Sequence, residues 1–247
     1  MKRKFQLFIY FLTLTVPLIS CVNKTVASVT RILVFSKTAG FHHASIPAGI
    51  AGIQRLGKQY NFEVDTTTNS ELFTSSNLER YNAVIFLNTT GDVLNATQQV
   101  AFEQYIKSGK GFVGIHAASD TEYDWAWYGK LVGAYFKSHP EPQQAMLNVV
   151  DQSFIATRKL PAKWSKFDEW YNFKSIAPDL HILITIDEKS YTGGENGSQH
   201  PVAWYHAYGG GRAFYTALGH TDESYNDPLF LQLILGGIQY AADAKQQ

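Results

Sequence analysis

Short apolar runs alternate with longer amphipathic segments in the first half of the chain. The runs contain Val, Ile, Leu or Phe and are too short for helices, so they predict buried strands. Three strands are predicted in this way, at residues 31–35, 83–87 and 111–115, and residues 62–66 are predicted as a further strand. Two intervening segments, 47–60 and 95–106, carry apolar residues at the spacing of one helix face. This alternation predicts a parallel sheet covered by helices and joined by right-handed crossovers.

The second half of the chain is less regular, and most of its predicted elements are strands. Four further strands are predicted: residues 145–150, 181–186, 201–205 and 212–218. Three glycines at 209–211 separate the last two strands and predict a hairpin. Residues 125–136 predict a short helix, 163–173 a loop or short strand, and 228–242 a closing helix. The pattern predicts a doubly wound α/β fold with a mostly parallel sheet, helices on both faces and an added β-rich C-terminal part.

A charged and then apolar segment precedes the first predicted strand. Residues 2–4 are basic, and residues 5–20 form an apolar stretch that is short for a membrane span. Residues 18–21, Leu-Ile-Ser-Cys, resemble the bacterial lipobox, which is cleaved before a cysteine that becomes lipidated; an ordinary signal peptide or an uncleaved anchor is the alternative. The predicted organisation has three parts: a lipoprotein-type signal peptide over 1–20, a linker over 21–30 that begins at lipidated Cys21, and one domain over 31–243.

The predicted anchor implies a lipoprotein of the bacterial cell envelope, either periplasmic or in the outer membrane. Lys plus Arg and Asp plus Glu are equal at 21 each, so no net charge favours nucleic acid as a partner. Cys21 is the only cysteine, which excludes a disulfide within the chain. Aromatic residues make up 14% of the sequence, a high share that suits either aromatic-lined binding surfaces or the core.

Ionisable side chains follow several predicted strands. His116 comes directly after the strand 111–115, and Asp120 lies four residues further on. In open parallel sheets, ligands bind just outside this carboxyl edge. Five places combine a strand end or loop with His or a carboxylate: His42/His43, His116/Asp120, His139, Asp168/Glu169 and His200/His220. The first two necessarily share one sheet edge, and the other three are expected to fold over it.

Two chemistries suit such a group of side chains. The first is general acid–base catalysis by His and a carboxylate. The second uses a divalent metal (zinc, manganese or iron) held by His and carboxylate ligands, for which the candidates are His116, Glu169, His200 and His220. The sequence contains no His-x-x-x-His pair and no paired Cys, so the spacing of the candidate ligands does not decide between these alternatives. A nucleophile-elbow enzyme is disfavoured, because His116 stands where the elbow Ser or Cys belongs. No Gly-x-Gly-x-x-Gly or Walker motif supports nucleotide binding.

Between about residues 31 and 242, the chain resembles the ThuA-like (trehalose utilisation) family. The resemblance rests on motifs that occur in order: 88–92, 111–118, 125–140, 168–171, 200–204 and 211–220. It implies a flavodoxin-like fold related to class I glutamine amidotransferases that lacks the nucleophilic Cys, so glutamine amidotransferase activity is not expected. It also implies a link to carbohydrate use, often of disaccharides or their 3-keto derivatives.

The resemblance also implies roles for individual residues. His116 would be the central acid/base, oriented by Asp120, and Glu169 would be the second catalytic carboxyl group. The implied substrate-binding residues are His42, Asn88, Trp125, Trp170, Tyr171, His200 and His220. The aromatic residues among them are expected to stack on the apolar C–H faces of sugar rings.

Two functions of different classes remain open at this point. The first is an envelope-anchored hydrolase or lyase that acts on a disaccharide or keto-sugar glycoside, with or without a metal. The second is a non-catalytic, lipid-anchored sugar-binding module that serves a partner enzyme. Turnover of a sugar substrate would separate them.

Overall fold

The structure is a computed structural model that describes residues 1, 2, 4 and 29–242. The predicted signal peptide lies largely outside these residues, and Cys21 lies wholly outside them, as does most of the predicted linker. Within the described part of the chain, none of the helices has both the length and the apolar character that crossing a membrane requires.

Residues 29–242 form eleven strands and five α-helices. The strands are β1 (Thr30–Phe35), β2 (Phe62–Thr67), β3 (Ala83–Leu87), β4 (Gly111–Ile115), β5 (Tyr135–Ser138), β6 (Gln143–Val149), β7 (Lys163–Asp168), β8 (Asn172–Lys174), β9 (His181–Ile186), β10 (Pro201–Tyr208) and β11 (Gly211–Thr216). The helices are α1 (Ile46–Tyr60), α2 (Ser75–Leu78), α3 (Ala96–Lys107), α4 (Ala126–Val132) and α5 (Pro228–Ala242). Strands and helices alternate up to α4, and strands dominate afterwards, as the sequence pattern predicts.

Nine strands form one sheet in the order β2-β1-β3-β4-β11-β10-β9-β6-β7. The five strands from β2 to β11 are parallel, and the pairs from β11 to β7 are antiparallel. Strands β10 and β11 form the predicted hairpin. The pairing of β9 with β10 is interrupted by register shifts near Pro201 and Ala203. Strands β5 and β8 form a separate antiparallel pair. The predicted mixed α/β fold with a large, mostly parallel sheet is confirmed.

The central strands are buried on both faces because helices cover each side. Alternate residues of β4 point to opposite faces. Phe112 joins an aromatic cluster with Phe86 of β3 and Phe102 of α3. On the other face, Gly111 allows α5 to approach closely, since a Cβ atom there would lie 2.1 Å from the Ala241 carbonyl oxygen.

Two local predictions differ from the structure. The short helix predicted for 125–136 ends at Val132, because Gly133 adopts a left-handed conformation with φ of 94°. The chain then enters β5, a strand that the sequence analysis did not predict because its first residues continue the helical spacing of apolar residues. The segment predicted as a loop or short strand over 163–173 contains β7 and the beginning of β8, separated by Glu169, Trp170 and Tyr171.

Candidate functional site

His116 begins the turn that follows β4, and its backbone conformation is unusual. Its φ is +50°, a region that costs energy for a residue with a Cβ atom. The buried Tyr215 hydroxyl donates to the His116 carbonyl oxygen over 2.7 Å and holds this conformation. The His116 Nδ1 lies 2.6 Å from the Ala217 carbonyl oxygen. A carbonyl only accepts, so Nδ1 carries the proton and Nε2 presents a lone pair.

Glu169 and His220 come from the C-terminal half and are held by one buried carboxylate. Asp168, the last residue of β7, is fully buried. Its Oδ1 accepts from the backbone N–H groups of Glu169 and His220, both at 3.0 Å. Its Oδ2 accepts from the Gly219 backbone N–H and the Ser224 hydroxyl, both at 3.1 Å. Asp168 therefore fixes the loop after β7 against the loop after β11.

His43 lies on the loop after β1 and is buried beside the other two imidazoles. Its ring packs edge-on against His116, with centroids 4.9 Å apart, and against His220, with centroids 5.4 Å apart. The preceding segment of this loop is tied to Thr90, which accepts from the Ala39 N–H at 2.7 Å. His43 thereby joins a group formed by the ends of distant strands.

These four side chains, His43, His116, Glu169 and His220, form what we call the His/Glu cluster. Each offers one ligand atom, and these atoms all lie within 4.8 Å of one another. The Glu169 Oε2 is 3.3 Å from the His116 Nε2 and 3.2 Å from the His220 Nδ1, without hydrogen-bond alignment. His116 Nε2, His220 Nδ1 and His43 Nδ1 are buried and find no hydrogen-bond partner among the described residues. Three imidazoles and one carboxylate are a donor set that could hold zinc, manganese or iron.

The electrostatics of the His/Glu cluster suit a bound cation. Burial lowers the pKa of His43 to about 3, and the neighbouring imidazoles of His116 and His220 add to this effect. Burial alone would raise the pKa of Glu169, but the close imidazoles of His116 and His220 outweigh it and lower this pKa overall. Glu169 raises the pKa of His220. Near neutral pH the cluster therefore contains a neutral His43 and an ionised Glu169.

The mouth of the site contains two partly exposed rings. The side chain of His139 is 41% exposed, and its Nδ1 lies 3.1 Å from the Glu169 Oε1, the oxygen that faces away from His116 and His220. Phe41 is 65% exposed, and its ring packs edge-on against His43 at 4.8 Å. On the inner side, the buried Tyr171 ring lies 4.3 Å from the His116 ring.

The structure brings together some of the predicted site residues and adds two others. His116, Glu169 and His220 meet in the His/Glu cluster, as the sequence analysis expected. His43 and His139 complete the surroundings of Glu169; both occur in the five candidate places, but neither was selected. No sequence signal distinguishes His43 from its neighbour His42, because the choice depends on which way the loop turns.

His42 and Asp120 lie near the cluster without joining it. His42 is exposed, and its Nδ1 pairs with the Thr38 hydroxyl at 3.1 Å. Asp120 accepts a 2.6 Å hydrogen bond from the Tyr123 hydroxyl, and burial raises the pKa of Asp120. The expectation that Asp120 orients His116 is wrong in this structure, because the Ala217 carbonyl oxygen occupies that position.

Asn88 and His200 are buried and make structural contacts, and of their polar side-chain atoms only the Asn88 Oδ1 finds no partner among the described residues. The Asn88 amide donates to the Ser45 hydroxyl at 3.0 Å. His200 has its Nδ1 2.8 Å from the Glu188 carboxylate and its Nε2 2.8 Å from the Tyr171 carbonyl oxygen. With both ring nitrogens engaged, His200 has no lone pair for a metal, contrary to its place among the candidate ligands.

The three aromatic residues expected to stack on sugars lie in the protein interior or against other side chains. Trp170 is fully buried, and its indole N–H donates to the Gln143 carbonyl oxygen at 2.8 Å. Tyr171 is buried behind His116. Trp125 donates to the Glu103 carboxylate at 3.0 Å and stacks on Trp127. The expected stacking role is therefore wrong for Trp170 and Tyr171, whose ring faces are covered.

The fold and site together define a flavodoxin-like α/β protein with a histidine-rich site where an elbow nucleophile would otherwise stand. The chain belongs to the ThuA family, described as trehalose utilisation, whose profile matches residues 31–241. The resemblance seen in the sequence motifs is thereby confirmed. A search of the curated proteins finds no match.

Solved structures support the fold assignment. A ThuA-like protein from Bacteroides uniformis is 24% identical, with a TM-score of 0.73, over 86% of this chain and 91% of that chain. A ThuA-like protein from Parabacteroides merdae is 20% identical, with a TM-score of 0.74, over 89% and 93% of the two chains. A β-galactosidase from Bacillus circulans sp. alkalophilus matches 85% of this chain but only 30% of its own, at 13% identity and a TM-score of 0.57. At these identities the similarity concerns the fold alone.

Proposed function

We propose that this protein is a carbohydrate-active enzyme, a hydrolase or lyase that acts on a disaccharide or keto-sugar glycoside with a divalent metal in the His/Glu cluster. The family description, trehalose utilisation, supports a carbohydrate-related role. The observation that carries the metal is the convergence of three buried imidazole nitrogens without hydrogen-bond partners on one carboxylate.

The donor set fits a metal better than it fits a structural hydrogen-bond network. Buried polar atoms in folded proteins are almost always hydrogen-bonded, so three unpaired ring nitrogens within one small volume need an explanation. The Ala217 carbonyl fixes the proton of His116 on Nδ1, which leaves Nε2 free as a ligand. A divalent cation held there would supply a Lewis acid that polarises a carbonyl or hydroxyl oxygen of the sugar.

Proton transfer is proposed for the pair of Glu169 and His139. The two oxygens of Glu169 face different partners: Oε2 faces the buried imidazoles, and Oε1 faces His139. His139 is the most exposed imidazole in contact with this carboxylate, so it can reach a substrate at the mouth. A carboxylate that orients an imidazole is a common arrangement for general acid–base catalysis.

Metal binding is tested first, by elemental analysis of the purified protein and by calorimetric titration with zinc or manganese. We expect one metal per chain in the wild type and at least tenfold weaker binding in the His43→Ala and Glu169→Ala variants. His42→Ala is the matched control, because this adjacent imidazole lies outside the cluster and its loss should leave the affinity unchanged. A wild type that binds no metal, or a His43→Ala variant with wild-type affinity, would refute the metal assignment.

Catalysis is tested with trehalose and its 3-keto derivative as substrates of the metal-loaded protein. We expect release of glucose or of an unsaturated keto-sugar from the 3-keto compound. His139→Gln should lower kcat by about 10²- to 10⁴-fold while the metal content stays at one per chain. Tight binding without turnover would instead support the non-catalytic sugar-binding module.

We further propose that the protein is anchored in the bacterial envelope through a lipid on Cys21. The basic residues 2–4, the apolar residues 5–20 and the lipobox-like sequence before Cys21 support this placement. Expression of the full chain in a bacterium should give a membrane-associated product, and Cys21→Ser should release it or leave it unprocessed. Cleavage and membrane association of Cys21→Ser identical to those of the wild type would argue against lipidation.

A further inference from the structure

We propose that Phe41 is the stacking platform for a sugar ring, so that the mouth of the His/Glu cluster contains a subsite for the apolar C–H face of a pyranose. The proposal deepens the proposed function and rests on it for the identity of the ligand. It places the stacking residue on the loop after β1, and not at the buried Trp170 or Tyr171.

The first argument is the exposure of the ring beside the cluster. Phe41 is the most exposed large hydrophobic residue within residues 29–242, at 65%. The only ring against which it is packed there is His43, a member of the cluster, at 4.8 Å. The Phe41 ring has no other aromatic partner among the described residues. An apolar ring in this position stabilises the fold little, so its presence suits a ligand.

The second argument is that the loop carrying Phe41 is held in place by hydrogen bonds. The Thr90 hydroxyl donates to the Phe41 carbonyl oxygen at 2.8 Å and accepts from the Gly40 N–H at 3.2 Å. The Ala39 N–H donates to the Thr90 carbonyl oxygen at 2.7 Å, and Thr38 forms a parallel bridge with Thr90. The backbone of Phe41 is thus fixed before any ligand arrives, which reduces the entropy lost on binding.

The third argument is that polar groups lie on the same rim. Gly91 forms a parallel bridge with Thr121, and its N–H donates to the Asp120 carbonyl oxygen at 2.8 Å. The loops after β1, β3 and β4 are therefore tied side by side. Asp120 is partly exposed, and its Oδ2 accepts no hydrogen bond from the described residues. An aromatic ring and a free carboxylate oxygen on adjoining loops match a sugar, which has an apolar C–H face and a periphery of hydroxyl donors.

The test measures binding of trehalose and methyl α-glucoside to the full protein by saturation-transfer NMR and calorimetry. We expect Phe41→Ala to weaken sugar binding about tenfold and Phe41→Trp to preserve it, because Trp keeps an aromatic face. Saturation of the aromatic protons should reach the C–H protons of one sugar face in the wild type and fail in Phe41→Ala. Tyr60→Ala is the control, since Tyr60 is also exposed but lies at the end of α1, at the opposite edge of the sheet.

The same variants separate this proposal from the proposed function. Zinc affinity and melting temperature should remain those of the wild type in Phe41→Ala, because the side chain is exposed and donates no ligand. Wild-type sugar affinity in Phe41→Ala, or no sugar binding by the wild type, would overturn the subsite. Failure of the wild type to bind metal would overturn the metal assignment and leave the sugar measurement as an independent result.

Discussion

Asp168 is predicted to be the residue on which both the stability of the C-terminal loops and the shape of the His/Glu cluster depend. Replacing it with Ala removes the acceptor of the Glu169 and Gly219 backbone N–H groups, which are buried, and of the partly buried His220 N–H. Each buried donor left without a partner costs about 1–3 kcal/mol. With two such groups fully buried, we expect Asp168→Ala to lower the free energy of unfolding by about 3–5 kcal/mol.

For a domain of this size, each kcal/mol lowers the melting temperature by roughly 2–4 °C, so the expected decrease is roughly 6–20 °C. The measurement is thermal and urea unfolding followed by circular dichroism. Asp92→Ala serves as the control, because Asp92 is exposed and its change should stay within about 0.5 kcal/mol. A loss of less than about 1 kcal/mol in Asp168→Ala would show that water or loop movement satisfies the freed N–H groups, and the argument would fail.

Three further predictions concern metal, packing and pH. Free zinc at 100 times its Kd should raise the free energy of unfolding by about 2.7 kcal/mol and the melting temperature by roughly 5–11 °C, and a chelator should reverse both changes. An equal gain in His43→Ala would contradict the assigned site. Gly111→Ala should lower the free energy of unfolding by about 1–3 kcal/mol, because the added Cβ meets the Ala241 carbonyl. Gly52→Ala, whose added Cβ has no contact under 3.4 Å, should be neutral or stabilising. Similar unfolding midpoints for the two variants would refute the packing argument. Burial lowers the pKa of His206, so this side chain should contribute a loss of stability of at most about 1.4 kcal/mol per pH unit as pH drops below about 6.5, and urea titrations of His206→Gln should show a shallower fall than those of the wild type.

Strands β3 and β4, at the centre of the parallel half of the sheet, could be predicted because their residues are apolar at every position. Burial on both faces leaves Ala83–Leu87 and Gly111–Ile115 without polar side chains, so a short apolar run is an unambiguous signal. Strand β5 gave no such signal, because its residues are only partly buried and follow a helix almost directly. The positive φ of Gly133, which ends that helix, leaves no other trace in the sequence than the glycine itself.

The candidate site was predictable at the level of strand ends and unpredictable at the level of single side chains. The position of His116 after a buried strand placed it at the carboxyl edge. By contrast, His200 also belongs to a motif, yet its two nitrogens are occupied by Glu188 and by the Tyr171 carbonyl oxygen. Whether an imidazole is free or engaged depends on partners that are distant in sequence, and sequence spacing does not encode them.

The order of the strands has a geometric consequence for the site. Five steps separate β4 from β7 in the sheet, and neighbouring strands lie about 4.8 Å apart, so a flat sheet would hold them ~24 Å apart. Yet Glu169, directly after β7, approaches His116, directly after β4, to 3.3 Å. The antiparallel half must therefore curl back over the edge of the parallel half, and the register shifts at Pro201 and Ala203 lie within the strands that bend. The distances between the ligand atoms of the His/Glu cluster therefore depend on the curvature of the sheet. A change that straightens β10 would move these atoms apart without altering any of the four residues.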